Sequence, residues 1–231
     1  FIETSLESAE LIKYTNNAFF SMLISFSNEI ANISEKIPGV DSHEILKALV
    51  SDKRITSIAN NERIVPSLES YLIPGCGFGG SCFPKDVQAI LDYANKNKIK
   101  TPLLKAILEI NAERPNKMVI LSESILGTLK NKKVSILGLT FKPETDDLRS
   151  SPALDAIKIL LEKGAIISAF DPILKSKPDL VKLPNECKIC FGIEDALKDS
   201  DVVMIFTKWS EFKSLNSKFL KQFMKNPIII D

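Results

Sequence analysis

Apolar side chains in the first part of the chain recur at the spacing of a helix. Over residues 8 to about 36 they fall at Leu11, Ile12, Phe19, Met22, Leu23, Phe26, Ile30 and Ile33, and Thr4 with Glu7 three positions later has the form of a capping box. This predicts one long helix, buried on more than one face. Pro38-Gly39 stops it, and Asp41 with Glu44 starts a second helix running to about Val50. Residues 51–70 are polar and less periodic. A glycine-rich segment, PGCGFGGSCFPKD at 74–86, follows, and its Pro84 suits the first turn of a helix carrying Val87, Ile90, Leu91 and Ala94. A loop therefore delivers Cys82 to a helix N-terminus. A further helix opens at Pro102 with Leu103, Leu104, Ile107 and Leu108, and Met118, Val119 and Leu121 extend it past Pro115, where the ring predicts a kink or break.

After Lys132-Lys133 the pattern changes. Short apolar runs at 134–139, 166–170, 202–206 and 228–230 read as buried strands, and helical patterns at 153–161, 194–198 and 216–223 lie between them. Strand and helix in alternation predict a parallel sheet wrapped by helices. The fold class is therefore α + α/β: an all-helical domain over residues 1–116, then a Rossmann-like parallel-sheet domain over 117–231.

Composition narrows the function. The 231 residues are 45% hydrophobic and 26% charged, the makeup of a globular protein with room for two modest domains. With 30 basic against 29 acidic residues, a charge-driven nucleic-acid binder is excluded. No apolar run approaches the roughly 20 residues of a membrane-spanning helix, so no membrane partner is expected. The chain opens on Phe1-Ile2-Glu3 without a leader and reads as a portion of a longer protein. Four cysteines (Cys76, Cys82, Cys187, Cys190) are too few for a disulfide scaffold and suit the reducing cytoplasm.

Cys82 is the sharpest chemical feature. A thiol at a helix N-terminus beside Lys85 sits where the dipole and a cation favour thiolate, and the preceding glycines let a substrate approach the backbone; the alternative is a thiol filling core. His43 is the only histidine and falls in the first turn of a helix, which argues against a Cys–His hydrolase. Asp86, four residues after Cys82, has the position to activate a water or to stabilise the helix dipole. Lys13 and Asn17 share a helix face at i, i+4, a cation for a developing oxyanion with a neutral partner, or a lysine reaching to solvent. The strand at 134–139 leads into GLTFKPETDDLR at 138–149, on the ligand side of an open α/β sheet. Its single glycine does not make a dinucleotide fingerprint, and Lys142 and Arg149 are either phosphate-holding cations or partners of Glu144, Asp146 and Asp147. Cys187-Lys188-Ile189-Cys190 is one C-x-x-C pair without a second pair or a histidine, so packing in a short strand is expected and no metal.

Three strings in order, SAELIKY with NAF at 8–19, GFGGSCFPKD at 77–86 and GLTFKPETDDLRSSP at 138–152, resemble the nucleotide-sugar dehydrogenases of the UDP-glucose/GDP-mannose dehydrogenase family. The resemblance covers nearly the whole chain. It implies a helical central domain and a nucleotide-sugar-binding domain, with the family's amino-terminal NAD-binding domain absent. Such enzymes oxidise the sugar's primary alcohol twice, with NAD as cofactor, to a uronate through a cysteine thiohemiacetal and thioester. By the resemblance Cys82 is the nucleophile, Lys13 the oxyanion-stabilising lysine, Asn17 its partner, and Asp86 the aspartate of the hydrolytic water. Tyr71, Leu72, Ile73, Pro74, Gly75 and Gly79 match the loop lining the sugar nucleotide, and Phe141 and Lys142 match substrate contacts, while Lys85 and Arg149 match positions that reach NAD. Phe83 favours UDP-glucose over GDP-mannose and UDP-N-acetylmannosamine. The resemblance also implies a homodimer through the helical domain, and an arginine reaching the neighbouring subunit's substrate, for which Arg54 and Arg63 compete. The resemblance also implies a continuation past Asp231 and, in the complete enzyme, a segment carrying the acidic partner of the lysine that this chain lacks. As isolated, the chain is alternatively a non-catalytic nucleotide-sugar-binding and dimerisation module.

Overall fold

The computed structural model describes residues 1–59, 62–64 and 67–231. The chain divides into two compact units, one of Phe1–Gly77 with Cys82–Ala112, the other of Phe78–Ser81 with Glu113–Asp231.

The first unit is built on helix α1 (Leu6–Ser34), followed by α2 (Ser42–Val50), a 3-10 turn at Ser67–Tyr71, α3 (Phe83–Lys96) and the opening of α4 (Pro102–Leu126). Ser5, rather than the Thr4 of the expected capping box, caps α1, its hydroxyl accepting from the Ser8 amide. Asp41 caps α2 as predicted, accepting from the His43 amide. A two-stranded antiparallel ladder, β1 (Ser57–Ala59) with β2 (Glu62–Ile64), adds a hairpin to the helical unit. Three-residue strands are too short to show a period of two, which is why the pattern over 51–70 read as irregular.

Helix α1 departs from expectation in the face it buries. Its buried residues are small, Ala18, Ser21, Ser25, Ser27, Asn28, Ala31 and Ser34, whereas Leu11, Ile12, Phe19, Phe26 and Ile33 are exposed. Most of the apolar side chains that predicted burial on more than one face therefore point outward, and Met22, Leu23 and Ile30 of the same set are half-buried. Small side chains let neighbouring backbone come close, and their hydroxyls need not be orphaned in doing so. Ser25 Oγ donates to the Ile107 carbonyl of α4 at 3.0 Å, and Ser21 Oγ donates back to the Asn17 carbonyl at 2.7 Å. Ala18 packs with Val87 and Leu91 of α3, joined by Ile90, Leu104 and Leu108.

The second unit holds a five-stranded all-parallel sheet of β3 (Lys133–Leu137), β4 (Ile166–Phe170), β5 (Cys187–Ile189), β6 (Val202–Ile205) and β7 (Ile229–Ile230), in the order β5-β4-β3-β6-β7. Helices α5 (Pro152–Glu162), α6 (Ile193–Leu197) and α7 (Ser217–Phe223) connect the strands. Strand order reverses at β3, whose neighbours are β4 and β6, so the crevice at its carboxyl end is the switch point of the sheet. Leu137, Phe170, Ala196, Leu197, Val203 and Leu220 form the core on one face. Cys187 and Cys190 are buried, and burial raises both thiols, Cys190 to about 11. Helix α4 continues unbroken through Pro115 to Leu126. The expected break is thus absent, and packing carries the helix across the lost amide.

Candidate active site

In the first unit, α1 and α3 together make a charged cluster around one carboxylate. Asp86 lies in the first turn of α3, where carboxylates are favoured, and its side chain is fully buried. Asn17 Nδ2 donates to Asp86 Oδ2 at 2.5 Å, Lys85 Nζ donates to Oδ1, and Lys13 Nζ stands 3.9 Å from Oδ2. Burial alone pushes this carboxyl up, but the hydrogen bonds from Lys85 and Asn17 and the charges of Lys85 and Lys13 outweigh it, and the net direction is down. Lys85 is held up in turn, first by that hydrogen bond. Sequence spacing paired Lys13 with Asn17 and left Asp86 separate; the fold joins them, with the carboxylate as hub.

Cys82 is the N-cap of α3, exposed, and makes no capping hydrogen bond with its side chain. Its carbonyl accepts from the Asp86 amide at 2.8 Å, which fixes the thiol one helical turn from the cluster. The loop before it is braced by aromatic rings and one amide. Tyr71 stacks on Phe20 at 4.4 Å between centroids and lies 6.2 Å from the Phe83 ring. Leu72 is buried and Ile73 exposed, with Pro74 and Gly75 between these extremes. The Gly75 amide donates to Asn28 Oδ1 at 2.9 Å.

Two contributors escaped the sequence reading. The Tyr14 ring lies 5.8 Å from the Lys13 ammonium and 5.6 Å from that of Lys85, within cation–π range of both. Asn28 holds the loop at Gly75. Asn17, Ser21, Ser25 and Asn28 step along one face of α1 at spacings of four, four and three, so a polar stripe inside an apolar helix was the available signal.

In the second unit the glycine loop meets the segment after β3. The Gly80 amide donates to the Arg149 carbonyl at 2.7 Å. A Cβ on Gly79 would stand 2.2 Å from the Ser150 carbonyl oxygen, and one on Gly80, whose φ is +83°, would meet the Phe141 ring at 2.7 Å. Only glycine fits at these two positions. Lys142 extends over the Phe141 ring at 5.4 Å. Arg149 makes a bidentate pair with Asp147, at 2.9 and 2.8 Å, and that pair holds the Asp147 carboxyl below its usual range. The surface pairing weighed for Arg149 from sequence is thus present. Asp171, at the end of β4, accepts from the Leu139 and Thr140 amides at 2.6 and 3.0 Å, the amides a phosphate would seek at a strand exit.

Arg54 pairs with Asp52 at 2.8 Å on the surface, and the side chain of Arg63 lies outside the described residues. Among the described residues, no helix is long and apolar enough to cross a membrane.

Two family models account for most of the chain: the central domain of the UDP-glucose/GDP-mannose dehydrogenase family matches residues 7–113, and the UDP binding domain of that family matches 135–231. The chain belongs to this family. A UDP-glucose 6-dehydrogenase of Rickettsia conorii is 40% identical over 233 residues, spanning 100% of this chain and 51% of that protein. Among solved structures, a UDP-glucose dehydrogenase of Pyrobaculum islandicum aligns with a TM-score of 0.81 at 32% identity, covering 97% of this chain and 50% of that one. A UDP-D-ManNAc dehydrogenase of Pyrococcus horikoshii aligns at 0.77 and 25%, covering 99% and 48%. The chain spans about half the length of the relatives it matches. The family's two domain models fall on either side of the change from helical to strand pattern, in the α + α/β order expected from sequence.

Proposed function

We propose that this chain is the catalytic and nucleotide-sugar-binding part of an NAD-dependent UDP-glucose 6-dehydrogenase, which oxidises UDP-glucose to UDP-glucuronate by four electrons. Residues 1–116 supply the catalytic and dimerisation domain and residues 117–231 the UDP-sugar-binding domain. The observation that carries the proposal is the buried Asp86 carboxylate, bound by Asn17, Lys85 and Lys13, one turn from the exposed Cys82.

The residues divide the work as follows. Lys13 and Asn17 stabilise negative charge on the sugar oxygen as the alcohol, and later the adducts, react. Cys82 Sγ adds to the aldehyde carbon formed in the first oxidation, giving a thiohemiacetal, and the second oxidation leaves a thioester. Asp86 accepts a proton from water as the water attacks the thioester carbonyl, and the C–S bond breaks to release uronate and the Cys82 thiolate. Two NAD molecules, bound in turn, would supply the hydride acceptors, one for each oxidation. Lys85 in the first unit and Arg149 in the second are largely exposed cations, each suited to a cofactor phosphate; the β3 turn does not fit a dinucleotide, because Asp171 occupies its amides. In the first unit the loop at Tyr71, Leu72, Ile73, Pro74 and Gly75 is assigned to nucleotide-sugar contacts, and in the second unit Gly79, Phe141 and Lys142 are.

The exposed apolar stripe of α1 supports a homodimer through the helical domain, and four cysteines outside any disulfide support a cytoplasmic setting. A second reading is another nucleotide sugar, GDP-mannose or UDP-N-acetylmannosamine, of which the likeness to the Pyrococcus enzyme favours UDP-N-acetylmannosamine; the higher identity to UDP-glucose dehydrogenases favours the first.

In a protein of the relatives' full length that carries this chain, Cys82→Ser is expected to abolish uronate formation while leaving UDP-glucose affinity within about threefold, since the covalent nucleophile is lost and the binding contacts are kept. Undiminished turnover by that variant would refute the assignment of the nucleophile.

A further inference from the structure

Asp171 follows β4 and packs under the exit of β3, with a fully buried side chain. Its Oδ2 accepts from the Leu139 amide at 2.6 Å, the Thr140 amide and hydroxyl at 3.0 Å each, and Trp209 Nε1 at 3.2 Å; Oδ1 accepts from the Ile173 amide at 3.0 Å. Thr140 is pinned a second time, its carbonyl accepting from the Thr207 hydroxyl. The next residue is Phe141, whose amide donates to the Asp147 carbonyl and whose ring lies against Gly80. Lys142 follows, over that ring.

We infer that Asp171 is a positioning residue: its carboxylate locks the exit of β3 so that Phe141 and Lys142 are presented in one fixed arrangement to the ligand and Phe141 is pressed on the glycine loop that leads to Cys82. The same carboxylate fills the place an anion would take at the turn, so nucleotide recognition falls to the side chains beyond it. Four donors on one buried oxygen make the arrangement stiff, because moving the loop would strand either the acceptor or several amides. The consequence for binding rests on the reading of Phe141 and Lys142 as nucleotide-sugar contacts; the locking itself does not.

The test uses this chain with Asp171→Asn, Lys142→Ala and the double variant. Asparagine keeps the shape but turns one acceptor into a donor facing donors. Amide exchange in the ligand-free chain is expected to quicken about tenfold or more at Leu139, Thr140 and Phe141 in Asp171→Asn, with the amides of β3 and β4 unchanged. Emission from Trp209, the only tryptophan, is expected to shift as its indole loses its partner. Unchanged exchange at Leu139 and Thr140, or acceleration spread evenly over the sheet, would overturn the inference. UDP titration then reads the coupling. Each single variant is expected to weaken UDP by about tenfold and the double variant by little more than either, as residues acting through one another do. Additive losses would overturn the positioning role. A parent chain that binds no UDP, yet shows the local exchange pattern, would remove the functional reading and leave the lock in place.

Discussion

At Asp86, a carboxylate without solvent exposure is kept charged by two hydrogen-bond donors, Asn17 and Lys85, and the nearby Lys13 charge, from two helices, and this gives the site a measurable acid signature. Its folded-state carboxyl lies below the ordinary value of 3.8. Between the folded value and 3.8 the unfolded chain binds more protons, so the stabilising contribution is present above that window and is lost as pH falls through it. Denaturant unfolding of the chain between pH 5 and about pH 2 is expected to show stability falling with acid. In Asp86→Asn that part of the slope should flatten, and stability near neutrality should drop by about 1–3 kcal/mol, because Lys85 loses its charged acceptor and a buried amide replaces a carboxylate. Asp146, Asp147 and Asp195 are also held down by lysine or arginine partners, so the difference between parent and variant isolates Asp86. An identical pH slope in the two proteins would show that the cluster is not coupled to folding.

Helix α1 buries the stripe least visible as core. Ser25 sits where the helix backbone approaches α4, at 2% exposure, with its hydroxyl on the Ile107 carbonyl. Ser25→Leu should force the two helices apart and orphan that carbonyl, lowering stability by about 1–3 kcal/mol in chemical denaturation; a neutral or stabilising result would contradict the close packing. This stripe also explains which parts of the chain were legible from sequence. The strands of the second unit were, because buried parallel strands are continuous apolar runs and β4 falls at its expected limits, 166–170. The burial of α1 was not, since periodicity marks an apolar face without saying whether this chain or another surface covers it. Cys82, Lys13, Asn17 and Asp86 could be singled out by residue type and spacing. Their assembly around Asp86 could not, because it depends on how α1 and α3 cross, which no short-range pattern encodes. Asp171 was missed for a similar reason: its five donors come from segments 2 to 38 residues away.

For the whole molecule, the two units each carry part of one proposed chemistry: the thiol, carboxylate and lysines in the helical unit, the nucleotide side chains at the switch point of the sheet. The family's central-domain and UDP-binding-domain models match residues 7–113 and 135–231. Near-neutral charge overall means that the proposed recognition of a diphosphate would rely on local donors such as Lys142 rather than on a broad positive field. The measurement closest to the central claim is calorimetric titration of this chain with UDP, UDP-glucose and GDP-mannose, with NAD alongside. The account predicts that UDP and UDP-glucose bind, GDP-mannose at least about tenfold more weakly, a discrimination of about 1.4 kcal/mol, and NAD not measurably, its turn being closed by Asp171. Preference for GDP-mannose, or NAD binding without any uridine nucleotide, would contradict it.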